Sequence, residues 1–143
     1  MEVLVKYDNG YRFTATCKGY TVTTGRGDDG KAERDGMWPA QLFSASIGMC
    51  IGGYVAEYCK KQGISYEDMT IELSRRVERY SSDTWTGAEL SRTTRIDAKI
   101  RLGAKLSKEQ QQGILQAADK CHITVSIKEG LQIVCSLMGT ENE

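Results

Sequence analysis

Two cysteines stand where a thiol redox pair could be built. Cys50 closes the segment Trp38-Pro-Ala-Gln-Leu-Phe-Ser-Ala-Ser-Ile-Gly-Met-Cys50, and Cys121 closes Gln116-Ala-Ala-Asp-Lys-Cys121, with 70 residues between them. Each falls in a helix-like apolar register. A thiol peroxidase works through the thiolate, because the thiol is a poor nucleophile and only a small fraction ionises at neutral pH. The attacking sulfur becomes a sulfenic acid, which a second cysteine resolves as a disulfide. The chemistry therefore needs a reactive Cys, a positive partner, a resolving Cys and an apolar pocket. Spacing leaves two readings open: a redox pair if the fold joins the two sulfurs, or two small core residues if it does not.

The surroundings of the two thiols differ. Cys50 lies mid-helix and gains little from a helix N-terminus, so a side chain must activate it. The candidate cations are Arg26 and Arg34, on the preceding loop. Cys121 sits where one helix ends and another can begin. Thr124 and the following amides favour a thiolate there, while the C-terminus of the preceding helix opposes it. Cys17 and Cys135 read as core thiols and Cys59 as a semi-exposed or interface thiol. Five cysteines with no CxxC pair and no metal-knuckle spacing argue against a secreted disulfide framework or a zinc site. Cys121 and His122 have no second paired ligand, so no metal and no cofactor is expected, and His122 reads as a partly exposed residue at a helix end.

The 143 residues fit a single domain, 1–143. The 19 basic residues balance 19 acidic ones, so no global field favours nucleic acid or an anionic membrane. Six arginines (Arg75, Arg76, Arg79, Arg92, Arg95, Arg101) could still cluster on one hairpin, without the interleaved aromatics of a nucleic-acid face. The start carries no basic-then-apolar signal, and no apolar run reaches membrane-span length. A cytoplasmic protein is expected, without nucleic-acid or membrane partners.

The elements that must position the thiols follow from periodicity and turn chemistry. Val3, Val5 and Tyr7 alternate with polar neighbours, Asp8-Asn9-Gly10 is a hairpin turn, and Tyr11 to Cys17 alternate again. Lys18-Gly19 turns into a third short strand, Tyr20 to Thr24. Residues 25–36 form a charged, glycine-rich loop with no phosphate-binding pattern. It is either a solvated connection or an active-site flap supplying Arg26 or Arg34. Pro39 opens a long helix whose apolar residues recur at threes and fours, ending at Lys60-Lys61-Gln62-Gly63. Met69 to Glu78 and Leu90 to Leu102 read as two long paired strands. Ser107-Lys-Glu-Gln110 is a capping box for a helix turning Ile114, Leu115, Ala118 and Cys121 inward. A short turn from Thr124 ends at Gly130, and Leu131, Ile133, Cys135 and Leu137 read as a last strand. The order is β-β-β-α-β-β-α-β, an α+β architecture.

Pro39-Ala-Gln-Leu-Phe-Ser-Ala-Ser-Ile-Gly-Met-Cys50 resembles the central-helix motif of the OsmC/Ohr family, the osmotically inducible and organic-hydroperoxide-resistance proteins. There, Pro-Glu-x-Leu-(Leu/Phe) leads to the peroxidatic cysteine. Ala117-Ala118-Asp-Lys-Cys121-His-Ile-Thr-Val-Ser resembles the family's second motif, Ala-x-x-x-Cys-Pro-Val-Ser, which carries the resolving cysteine. The resemblance covers essentially the whole chain.

The resemblance implies antiparallel sheets around a long central helix in an intertwined homodimer. It implies reduction of organic hydroperoxides, with Cys50 peroxidatic, Cys121 resolving, Arg26 activating the thiolate, and Leu42, Phe43 and Tyr54 lining an apolar substrate pocket. An external thiol or dithiol protein would reduce the disulfide. Two positions depart from the pattern. Ala40 stands where the family's peroxidases carry the glutamate that steers the arginine, with Glu33 and Asp35 as candidate substitutes that no motif marks. His122 replaces the proline. The departures also fit a divergent OsmC-like member, a non-catalytic dimer binding a small apolar ligand at the subunit interface.

Overall fold

The structure is a computed structural model, and it describes residues 2–25, 36–82, 87 and 89–139. The chain divides into two compact units, residues 1–48 with 71–100 and residues 49–70 with 101–143.

The first unit begins with a three-stranded antiparallel sheet of β1 (Leu4–Asn9), β2 (Arg12–Cys17) and β3 (Tyr20–Thr24), in the order β1-β2-β3. Asn9 pairs with Arg12, so Gly10 and Tyr11 make the turn, and Gly10 takes the positive φ it requires (54°). An irregularity in register between Tyr7 and Asn9 absorbs the extra residue, as a bulge does. The second turn is tighter. Cys17 pairs with Tyr20 while Lys18 and Gly19 both have positive φ, the geometry whose twist suits a two-residue hairpin. Tyr7 and Phe13, directly opposite each other, meet edge to face with centroids 5.6 Å apart. The Thr24 hydroxyl donates to the Met37 carbonyl, tying the end of β3 to the approach to the long helix.

β4 (Thr70–Ser82) and β5 (Glu89–Arg101) form a separate two-stranded sheet. Its arginines carry local partners: Arg79 pairs with Glu89 at 2.8 Å, Arg95 with Asp97 at 2.6 Å, and Arg92 lies 5.4 Å above the Tyr80 ring.

Helix α1 (Pro39–Gln62) is the longest element, at 24 residues. Pro39 suits the first helical position because the missing N–H would be unpaired there. The Trp38 carbonyl accepts from Gln41 and Leu42, and the Trp38 N–H donates to Gln41 Oε1 at 2.9 Å. At the other end Gly63 (φ 67°) turns the chain. The Ile64 N–H reaches the Cys59 carbonyl and the Gly63 N–H reaches that of Lys60, a Schellman stop. In the first unit α1 meets β4 closely: a Cβ on Gly48 would lie 2.6 Å from Leu73 Cδ1.

The second unit holds α2 (Lys108–Asp119) and α3 (His122–Lys128). Ser107 and Gln110 close the capping box that their spacing predicts. The core of this unit is Ile51, Val55, Cys59, Ile64, Ile114, Ala117 and Cys121, all buried. Helix α2 turns Ile114 and Ala117 inward and leaves Leu115 60% exposed, so Leu115 falls outside the expected inward face while Ile114 and Cys121 keep to it. The small residue at 113 explains the close approach: a Cβ there would stand 2.2 Å from Tyr58 Cζ, so the tyrosine ring of α1 occupies the space a side chain would fill.

The α+β class and the run β-β-β-α-β-β-α match the sequence expectation. Residues 131–137 are described but sit in no strand, and Ile133, Val134 and Leu137 are more than four-fifths exposed. A strand needs a partner for its N–H and C=O groups, and this segment has no ladder partner among the described residues. Cys135 is exposed rather than core and Cys59 is fully buried rather than semi-exposed. Cys17 is half-buried. Among the described residues no helix is long and apolar enough to cross a membrane.

Candidate functional site

Cys50 and Cys121 both belong to the second unit, and the fold brings their thiols together. Cys50 comes from the middle of α1, one helical turn before Tyr54. Cys121 follows Lys120 in the link between α2 and α3. Its carbonyl accepts from the Val125 N–H at 2.9 Å, starting α3 immediately after the turn that ends α2. That junction gives the sulfur its position: α2 delivers it inward on the face of Ile114 and Ala117, and α3 departs behind it.

The two thiols differ in access. Cys121 is fully buried, whereas Cys50 is half-buried. Burial pushes the Cys121 thiol up, but the neighbouring Cys50 thiol, the Thr124 hydroxyl and the N–H groups of Thr124 and Ile123 act against it. The net effect holds Cys121 below the ordinary thiol range. Cys121 makes no side-chain cap hydrogen bond on α3. Cys59, nine residues beyond Cys50 on α1, is pushed up by burial. Two neighbouring thiols, one shielded and acid-shifted and the other reachable, can be oxidised to a disulfide.

The other expected site residues distribute as follows. Arg26, Arg34, Glu33 and Asp35 lie outside the described residues. Ala40 is half-buried in the first turn of α1, and His122 is exposed at the start of α3. Leu42 lines a cavity of about 700 Å³ within the first unit, together with Val5, Phe13, Val22, Trp38 and Pro39. Phe43 and Tyr54 are 43% and 41% exposed and are not among the described residues lining that cavity. The part of Thr124 was legible as a residue able to favour a thiolate. The sulfur contact was not, because it depends on how α2 packs on α1. Among the described residues no group of three or more His, Cys, Asp or Glu is placed to hold a metal ion.

Antiparallel sheets beside a long helix that carries one cysteine, with a second cysteine delivered to it at a helix junction, define the class of protein to which the chain is compared. The OsmC-like protein family profile matches residues 28–136, and the chain belongs to that family.

Among solved structures it is similar to an osmotic-stress-induced detoxification response protein from Psychrobacter arcticus. That likeness has a TM-score of 0.69 and 17% identity, covering 87% of this chain and 85% of that one. It is also similar to the organic hydroperoxide resistance protein OhrB of Bacillus subtilis, with a TM-score of 0.51, 20% identity and coverage of 91% and 93%. At these identities the likeness is one of fold. No curated protein matches the chain by sequence.

Proposed function

We propose that this chain reduces organic hydroperoxides through a Cys50–Cys121 thiol cycle in oxidative-stress defence. The contact between the two thiols carries the reading, and membership of the OsmC-like family together with the fold shared with an organic hydroperoxide resistance protein supports it. Cys50, the more accessible sulfur, attacks the terminal peroxide oxygen and becomes a sulfenic acid as the alcohol leaves. Cys121 then attacks that sulfur and expels hydroxide, forming a disulfide. An external thiol or dithiol protein restores the reduced pair. Arg26 is the proposed cation for the charge that develops at Cys50, and Leu42, Phe43 and Tyr54 supply the apolar walls for the peroxide's organic group.

The match across residues 28–136, which runs through both units, supports treating the chain as one OsmC-like domain. The exposed apolar side chains of Leu131, Ile133, Val134, Leu137 and Met138, with those of Val3, Leu4 and Tyr20, support an intertwined homodimer that covers them. The test is turnover of cumene hydroperoxide or t-butyl hydroperoxide with a dithiol reductant. The wild type should consume peroxide and Cys50→Ser should not. No consumption, or equal rates in both proteins, overturns the enzymatic reading.

The cavity of about 700 Å³ favours a second reading, a non-catalytic dimer that binds a small apolar ligand. That reading predicts thermal stabilisation by a fatty acid, equal in wild type and Cys50→Ser, with no peroxide turnover.

A further inference from the structure

We infer that Tyr58 and Gly113 are positioning residues of the thiol pair: the Tyr58 ring, seated where a side chain at 113 would be, sets the level at which α2 docks on α1 and so holds Cys121 within bonding reach of Cys50. The inference rests on the thiol-cycle reading and concerns one step of it, the closing of the disulfide. Each residue lies about 12 Å along its helix from the cysteine that follows or precedes it, so each acts through the helix and not on a sulfur.

A Cβ on Gly113 would stand 2.6 Å from Tyr58 Cε2 and nearer still to Cζ and Oη, so the ring rests against the bare Cα of α2. Tyr58 comes eight residues after Cys50, and Gly113 comes eight residues before Cys121. At 1.5 Å per residue each interval is about 12 Å. The two meetings, Tyr58 with Gly113 and Cys50 with Cys121, fall in opposite order along the chain, so α1 and α2 are antiparallel here. Between antiparallel helices equal intervals keep level, and a contact fixed at Tyr58 and Gly113 brings the two cysteines opposite each other. Buried Ile51 and Val55 lie within the α1 interval, and buried Ile114 and Ala117 within that of α2. The Lys120 N–H reaches the Ala117 carbonyl and the Cys121 N–H that of Ala118, so the helical path runs on to the cysteine.

The tolerance of the chemistry matches the size of the contact. A disulfide needs its Cβ atoms about 3.5–4.5 Å apart, a window of about 1 Å. A slip of α2 by one residue along α1 is about 1.5 Å and leaves that window. A methyl at 113 demands a movement of similar size, because carbon atoms rest about 3.5–4.0 Å apart and this one would meet Cε2 at 2.6 Å. The two steps of the cycle feel that movement differently. The attack of Cys50 on peroxide uses a sulfur carried by α1 and does not depend on the level of α2. In the resolving step Cys121 attacks the Cys50 sulfenic sulfur, the S–S bond forms as the S–O bond breaks, and the hydroxide leaves with the Cys121 proton as water. That step succeeds only while α2 keeps its level.

The test separates the two steps in the full chain, in wild type, Gly113→Ala, Tyr58→Leu and Tyr58→Phe. Single-turnover mixing with cumene hydroperoxide gives the rate of Cys50 sulfenic acid formation, read with a trapping reagent, and the rate of Cys50–Cys121 disulfide formation, read by mass spectrometry. Titration in a dithiothreitol redox buffer gives the stability of the same disulfide without peroxide. Gly113→Ala and Tyr58→Leu should form the sulfenic acid at the wild-type rate but close the disulfide about ten- to a hundredfold more slowly, with a weaker disulfide in the buffer. Tyr58→Phe keeps the ring and should match wild type in all three measurements. Protection of buried Cys59 from alkylation shows which variants are folded, and Tyr58→Leu, which adds no atom at 113, carries the test if Gly113→Ala does not fold. Unchanged closure and disulfide stability in the folded variants, an equal loss in Tyr58→Phe, or sulfenic acid formation slowed as much as closure overturns the inference while leaving the peroxidase reading standing. A wild type that does not react with peroxide removes that reading, and the redox-buffer titration then decides the positioning role by itself.

Discussion

The Cys50 thiol on α1 neighbours the Cys121 thiol at the α2–α3 junction and helps to hold it below the ordinary thiol range. One sulfur is fully buried and the other half-buried, so the pair presents a single reachable thiol backed by a shielded one. Several measurable consequences come from that arrangement and from the packing that creates it.

Native-state alkylation should separate the cysteines. Half-buried Cys17 and Cys50 should react with iodoacetamide ahead of Cys59. Cys59 has no exposed surface and burial raises its thiol, so both access and thiolate fraction protect it. Site-resolved mass spectrometry along a labelling time course should show Cys59 modified only on unfolding. Cys59 labelling at the Cys17 rate would contradict the packing of α1.

Gly113→Ala should destabilise the fold. The new methyl would stand 1.9 Å from Tyr58 Oη and 2.2 Å from Cζ, so the ring must move. Overpacking of this kind costs about 1–3 kcal/mol, which exceeds the roughly 1 kcal/mol that alanine gains over glycine in a helix. On a Tyr58→Ala background the clash is gone and the same substitution should stabilise. A double-mutant cycle by urea denaturation measures the reversal, and an unchanged sign would rule out the Tyr58–Gly113 contact.

Stability of the reduced protein should pass through a maximum near the ordinary thiol value, about 8.5. Burial pushes Cys121 up but its donors pull it further down, so below that value the unfolded state binds more protons. Stability then rises with pH across this window and is lost as pH falls through the folded value. Burial raises Cys59, so above that value the folded state binds more protons and stability falls as pH rises. Denaturant titrations at a series of pH values should show Cys121→Ala flattening the rising limb and Cys59→Ala flattening the falling one. Limbs identical to wild type in both variants would contradict the assignment.

The elements were legible because their signals are local. Gly10 and Gly19 take the positive φ that their turns need, Pro39 opens α1, Gly63 ends it, and Ser107 with Gln110 caps α2. What failed was set by distant partners. Leu115 looked as apolar as Ile114, but α2 presents Ala117 and the bare Cα of Gly113 to α1, since only small residues admit the Tyr58 ring. Cys59 read as half-exposed from its register. The Schellman stop folds Ile64 back over the end of α1, and both residues are buried. Cys135 alternates as a strand residue, yet alternation only prepares a strand, and the segment has no ladder partner among the described residues. The two cysteine motifs were visible, but their meeting depends on the turn between α2 and α3, which no spacing encodes.

The most direct test of the thiol cycle is to treat the reduced protein with one equivalent of cumene hydroperoxide and map its disulfides by mass spectrometry without reduction. The account predicts a Cys50–Cys121 linkage, abolished by either Cys50→Ser or Cys121→Ser and reversed by a dithiol. Treated protein in which Cys50 and Cys121 remain free thiols, or in which Cys50 is overoxidised beside an unreacted Cys121, would contradict it.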